Sequence, residues 1–170
     1  QGTRLDVGAT LWNKTRQVAA TRGNLIFTEW GLNGPAVMDL SHHVSAQPKA
    51  ALTLSLNLVA FFEAEFERFL GQQRASLLPA RVFMGAFFPP KVTALYLKNA
   101  GIAEDTSMRR LDDSSLNRLV AKLKDTRFTV TGVRGFEYCQ VSAGGVPVGE
   151  ADPCPMESRR VKGLYLPGET

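Results

Sequence analysis

Histidine and cysteine are scarce in this chain. His42 and His43 are the two histidines, and Cys139 and Cys154 the two thiols, among 170 residues. Neighbouring helical residues point about 100° apart, so the imidazoles do not converge on one metal as an i, i+4 pair would. Two cysteines cannot build a Cys-only zinc site, and a disulfide between them is left open. No metal is expected. No apolar run approaches the roughly 20 residues that span a bilayer, and the opening QGTRLDVG has no basic-then-apolar leader pattern. No membrane partner is expected, and the location expected is cytoplasmic. There is no Gly-x-Gly-x-x-Gly phosphate loop anywhere. Nor is there a concentrated cationic tract. The net charge of +4 arises from 20 Lys and Arg against 16 Asp and Glu, spread as +2 in residues 1–50, +2 in 51–100 and 0 in 101–170. Counted that way, the charge predicts no nucleic-acid partner.

What remains is an ordinary folding composition, 44% hydrophobic and 21% charged, which excludes a wholly disordered chain. A mass of 18.6 kDa suits one domain or two small lobes. Leu5, Val7, Ala9 and Leu11 alternate with polar or small residues, the period of a half-buried strand. Asn13-Lys14 reads as a turn, Arg16 to Ala20 as a second strand, and Arg22-Gly23-Asn24 as another turn before Leu25 to Thr28. Gly31-Leu32-Asn33-Gly34-Pro35 is the densest punctuation. It places Pro35 in the first turn of a helix, with Asn33 or Gly34 as its cap. Leu52, Leu54, Leu56 and Leu58 form the cleanest strand. From about Ala60 the period becomes helical, with Phe62, Phe66 and Phe69 on one stripe. Further helices are expected over Pro79 to Ala86, after Pro89-Pro90, and from Asp112-Asp113 to Lys124, with Gly101 ending the middle one. Phe128 and Val130, then Phe136, Tyr138, Gln140 and Ser142, return to strand alternation.

The expected layout is therefore α+β. Residues 1–59 begin a β-barrel-like part, 60–125 form a helical part, 126–143 return as strands, and 144–170 form a loop-rich segment. That last stretch ends on an apolar run and a glycine corner, which reads as a piece of something larger. No motif anywhere in the sequence licenses a reaction mechanism. Glu63 and Glu67 share a helix face but lack a Glu-x-x-His partner. Cys139 has no base beside it in sequence. The glycines before Pro35 could offer N–H groups to an anion, although a structural strand-to-helix turn explains them as well.

Three stretches together are more specific. The run from Gly23 to Ser41 (GNLIFTEWGLNGPAVMDLS) resembles the G-x-L-L-F-T-H-x-G-L-S-G-P-A signature of the HI0933-like, or BaiN-like, flavoproteins. Thr131-Gly132, Gly135-Phe136 and Val141-Ser142-Ala143-Gly144-Gly145-Val146 resemble that family's T-G, G-F and V-T-A-G-G-V run. Glu150, Pro153, Pro155-Met156-Glu157-Ser158 and Gly163-Leu164-Tyr165-Leu166-Pro167-Gly168-Glu169 resemble E-x-x-P-x-T-M-E-S followed by G-L-Y-F-A-G-E. Order and spacing agree along nearly the whole chain.

The resemblance implies the insert domain of an FAD-dependent oxidoreductase: a β-barrel-like subdomain interrupted by a helical one, covering the flavin site from the substrate side. Its implied partner is the flanking FAD-binding domain of the same polypeptide, with the small-molecule substrate unspecified. Carried over by position, Gly144, Gly145, Glu157, Gly168 and Glu169 would be the cofactor-side residues. FAD would be bound by the full-length protein, and this segment alone would be inactive and colourless. Catalytic residues are not implied. Glu29 stands where the family has His, so a histidine acid or base at that turn is absent; Asn33 replaces Ser, Cys154 replaces Thr and Pro167 replaces Ala. The competing reading is a non-catalytic binding or scaffold module built on the barrel-like part.

Overall fold

A computed structural model describes residues 2–139 and 144–166. It divides into two compact units, residues 1–133 and 134–170. The first unit is built on five antiparallel strands: β1 (Arg4–Asn13), β2 (Arg16–Phe27), β3 (Leu32–Asn33), β4 (Leu52–Asn57) and β5 (Thr126–Thr129). Their order is β3-β2-β1-β4-β5, so β3 and β5 are its edges and the barrel-like sheet is open among the described residues. The sheet and helices make an α+β fold. β5 lies antiparallel to β4, with Leu54 opposite Phe128. The chain thus leaves the sheet at β4, runs through a helical block and comes back beside the strand it left.

Alternation sets the faces. Val7, Ala9 and Leu11 of β1 and Leu52, Leu54 and Leu56 of β4 are buried, while Gly8, Thr10, Thr53 and Ser55 fall on the other face. Helix α1 (Pro35–Ser45) covers the buried side of β2 through Ala36 and Leu40. Its approach explains two glycines. β2 passes straight through Arg22-Gly23-Asn24, where the sequence predicts a turn: Gly23 pairs with Val7 across the ladder. A Cβ on Gly23 would sit 3.4 Å from the Ala36 nitrogen, so this glycine serves the helix crossing above it. Gly34 is the N-cap of α1 at φ 102, and a Cβ there would come within 2.6 Å of the Asn24 carbonyl oxygen.

Four helices follow: α2 (Glu63–Gln73), α3 (Ala80–Gly85), α4 (Pro90–Ala100) and α5 (Asp113–Lys124). α2 starts three residues later than its apolar period suggests, because Val59 to Phe62 first form a turn closed by the Phe62 N–H on the Val59 carbonyl at 2.9 Å. Phe66 and Phe83 are fully buried. With Phe62, Phe69, Phe87 and Phe88 they make a continuous aromatic cluster, ring centroids 5.2 to 6.4 Å apart. Six of the ten phenylalanines are thus accounted for by helix packing. α4 stops at Gly101, φ 74, and Ile102 N–H reaches back to the Leu97 carbonyl at 2.9 Å. Asp112 caps α5 by accepting the Ser115 N–H at 2.7 Å.

One buried cluster takes residues from both the sheet and the helices. Two hydrogen-bonded links tie the blocks at their seam. Leu58 N–H donates to the Leu123 carbonyl at 2.8 Å. Thr126 Oγ1 donates to the Lys122 carbonyl at 2.6 Å, so its 2.5 Å contact with Tyr96 is accepted from the phenol.

The second unit has no buried residue among those described. Phe136–Tyr138 is a single 3₁₀ turn, not the strand that the alternation over 136–142 predicts. All three of its side chains are exposed, so no buried face selects the extended form. Residues 140–143 of that expected strand lie outside the described residues.

Candidate functional site

The outer face of the sheet carries a shallow concavity of about 400 Å³ between Gly8, Thr10, Ala20, Arg22, Asn57 and Ala60. Ladder register builds it, since Gly8 faces Arg22 on one side and Asn57 on the other. Its floor is small for a packing reason: a Cβ on Gly8 would meet the Ala60 methyl at 3.1 Å. The wall is ionic. Lys124 of α5 bridges Glu63 at 2.7 Å and Glu67 at 2.6 Å. The hydrogen bond from Lys124 holds the Glu63 carboxyl below its ordinary value, helped by Asn57 and by the charge of Arg22. The same bonds raise Lys124. Further along this face, Ser55 donates to Asp125 at 2.5 Å while Arg127 holds both Asp125 oxygens. The Trp12 indole N–H is buried and has no hydrogen-bond partner among the described residues. Sequence reasoning did not find this groove. Its residues come from three strands and look like ordinary polar alternation, although the small residues Gly8, Ala20 and Ala60 were a readable sign of close approach.

Other candidates resolve into structure. The Gly31-to-Pro35 run is the packing device described above, with Asn33 Oδ1 accepting the Gly34 N–H at 2.7 Å. His42 and His43 lie ring against ring, centroids 3.8 Å apart, in the last turn of α1. Among the described residues no group of three or more His, Cys, Asp or Glu could hold a metal ion. Cys139 and Cys154 are both exposed free thiols. No described helix is long and apolar enough to cross a membrane.

The residues carried over as cofactor-side all fall in the second unit. Gly144 and Gly145 take φ 131 and 92, values that favour glycine. A Cβ on Gly144 would meet no described residue within 4 Å. Glu157 is partly committed: its Oε1 accepts the Gly163 N–H at 2.6 Å, leaving Oε2 for another partner. Around it the backbone is pinned by Asp152 N–H to the Glu157 carbonyl, Ser158 N–H to Leu164 and Leu166 N–H to Met156, at 2.7 to 2.9 Å. Gly168 and Glu169 lie outside the described residues. Among the described residues no Gly-x-Gly-x-x-Gly phosphate loop is present.

An open antiparallel sheet whose chain detours through a helical block defines a barrel-and-helix domain, and comparison with known proteins says which. Residues 1–141 match the family model described as "HI0933-like protein barrel and H2TH domain", and the chain belongs to that family. It is 34% identical over 150 residues to the ribosomal RNA dihydrouridine synthase of Escherichia coli, covering 87% of this chain and 36% of that protein. It is 27% identical over 173 residues to the 3-dehydro-bile acid delta(4,6)-reductase of Clostridium scindens, covering 99% of this chain and 42% of that one. The ribosomal RNA dihydrouridine synthase of Haemophilus influenzae is 28% identical over 145 residues, covering 85% and 35%. The chain therefore spans well under half the length of these curated relatives.

Proposed function

We infer that this chain is the substrate-side domain of a flavin-dependent oxidoreductase that reduces a carbon–carbon double bond in a ring. The observation that carries the reading is the second unit. It has a hydrogen-bonded shape and no buried residue among those described, yet it displays Phe136 (80% exposed), Val148 (92%), Leu164 and Tyr165. Apolar surface held in order but left uncovered is what a docking face presents before its partner is in place. Relatives more than twice as long supply room for that partner, the flavin-binding part of the same polypeptide. The relatives' names support the reaction class: a dihydrouridine synthase and a bile-acid delta(4,6)-reductase both add hydrogen across a ring double bond. They divide on the substrate, a ribosomal RNA base in one case and a steroid in the other.

In the complete protein the flavin supplies the electron pair for such a reduction. The present residues do the rest of the work. Gly144 and Gly145 would let backbone approach the ring, and Glu157 Oε2 would accept a hydroxyl. The pyrophosphate needs N–H groups aimed from a glycine turn and a helix N-terminus, which must come from elsewhere in the polypeptide. Titrating FAD while following its fluorescence tests this. The 170-residue chain purifies colourless and binds FAD weakly, whereas a protein extended to the relatives' length is yellow. Tight binding by the short chain would show that it holds a whole site; a colourless extended protein would remove the flavin reading and leave the binding-module alternative.

A further inference from the structure

Folding gathers charge that the sequence scatters. Residues 7–28 and 40–62 contain no Asp or Glu, while Lys14, Arg16 and Lys49 stand in them. Asn13 brings these three together. It pairs with Arg16 across the β1–β2 hairpin and with Leu52 at the start of β4. Its side-chain amide also donates to Gln47 Oε1 at 3.1 Å, which seats the turn before β4, closed by Ala50 N–H on the Gln47 carbonyl, against the hairpin end. Lys14 occupies the tip at φ 56. All three cations are exposed, and none takes part in an ion pair among the described residues. The last turn of α1, with His42 and His43, ends beside the same turn.

We propose that this end of the sheet, Lys14, Arg16 and Lys49, grips the phosphate backbone of an RNA substrate. The inference rests on the reductase reading and decides between its two substrates. Three unpaired cations with no carboxylate in their segments complement a polyanion. The surface is also free of apolar anchors: none of the exposed large hydrophobic side chains belongs to residues 10–20 or 45–53. A steroid ring system would find nothing to bury there, and a membrane-surface site needs apolar side chains as well as cations. Phosphate contacts position a nucleic acid without reading its bases. This end therefore holds the RNA, and base selection belongs to the reaction site.

The test is fluorescence anisotropy of a short labelled RNA stem–loop with the 170-residue chain, across a salt series. Binding weakens linearly on a log–log plot for the native chain. Each phosphate contact contributes about 0.7–0.9 to the slope, so Lys14→Gln, Arg16→Gln and Lys49→Gln together remove about 2–3 units. Lys91→Gln, Lys98→Gln and Lys122→Gln, exposed cations of α4 and α5, form a control triple that leaves the slope unchanged. The charge-keeping pair Lys14→Arg and Lys49→Arg retains native binding, which separates lost charge from lost fold; circular dichroism melts check each variant. An unchanged slope in the first triple, an equal loss in the control, no RNA binding by the native chain at low salt, or equally tight binding of phosphatidylserine vesicles through the same residues would each overturn the proposal. No flavin enters the measurement, so it fails or succeeds independently of the colour of the extended protein.

Discussion

Gly34 and Gly31 lie three residues apart, and both have positive φ, 102 and 146. Only Gly34 also has a neighbour in the way, the Asn24 carbonyl at 2.6 Å from a built Cβ, while Gly31 faces open space. Gly31→Ala therefore meets backbone strain alone, about 1–3 kcal/mol. Gly34→Ala adds a backbone clash that only a shift of α1 away from β2 can relieve, and its loss in denaturant midpoint exceeds that of Gly31→Ala. Equal losses would mean that α1 does not pack as described. Phe66 is the corresponding test in the helical block. It is fully buried and touches Phe83 and Phe87 edge-on or tilted, so Phe66→Ala costs about 3–5 kcal/mol in chemical denaturation. The importance of Gly34 was half visible in the sequence as a cap before Pro35. The obstacle that forbids a side chain there was not, because it lies on another strand.

Element by element, legibility followed local information. β4, α4 and α5 carry their own instructions: strict leucine alternation, a Gly101 stop followed by Ile102, and an Asp112 cap with lysines in the last turn. β2 did not, because Gly23 looks like punctuation until the helix above it is known. The 136–142 alternation misled because period alone does not make a strand; something must bury one face. Two side-chain links of the helical block, one from α4 to β5 and one between α2 and α5, make measurable claims. Burial raises the Tyr96 hydroxyl pKa, and this phenol donates to Thr126 Oγ1, so Tyr96→Phe costs about 1 kcal/mol of stability. The Glu63–Lys124–Glu67 bridge has a pH signature. Glu63 sits below its ordinary value of 4.5, so its contribution is complete above that pH and is lost as pH falls through the lower folded value. In acid melts, Lys124→Met flattens this part of the decline. An unchanged acid limb would show that the bridge contributes nothing.

At the scale of the whole molecule, the sequence conveyed the order strand, helix, strand and the family. It did not convey the groove between Gly8 and Asn57 or the cationic end of the sheet. Both are products of register: counting charge by position averages Lys14, Arg16 and Lys49 with the distant acids Glu29 and Asp39, whereas Asn13 places the three at one end. The expectation of no nucleic acid came from that averaging, and the anisotropy experiment addresses it directly.

The second unit has one more consequence, for proteolysis. A segment held by turns and hydrogen bonds, whose described residues include no buried side chain, opens at little free-energy cost. Arg159, Arg160 and Lys162 lie within it, all exposed. Limited digestion with trypsin therefore cuts first after these residues and leaves a resistant product carrying the five strands and five helices of the first unit. On the proposed reading, a protein of the relatives' length buries this segment under its flavin-binding part, so those cuts slow markedly, and mass spectrometry of the early fragments reads the difference without any knowledge of the substrate.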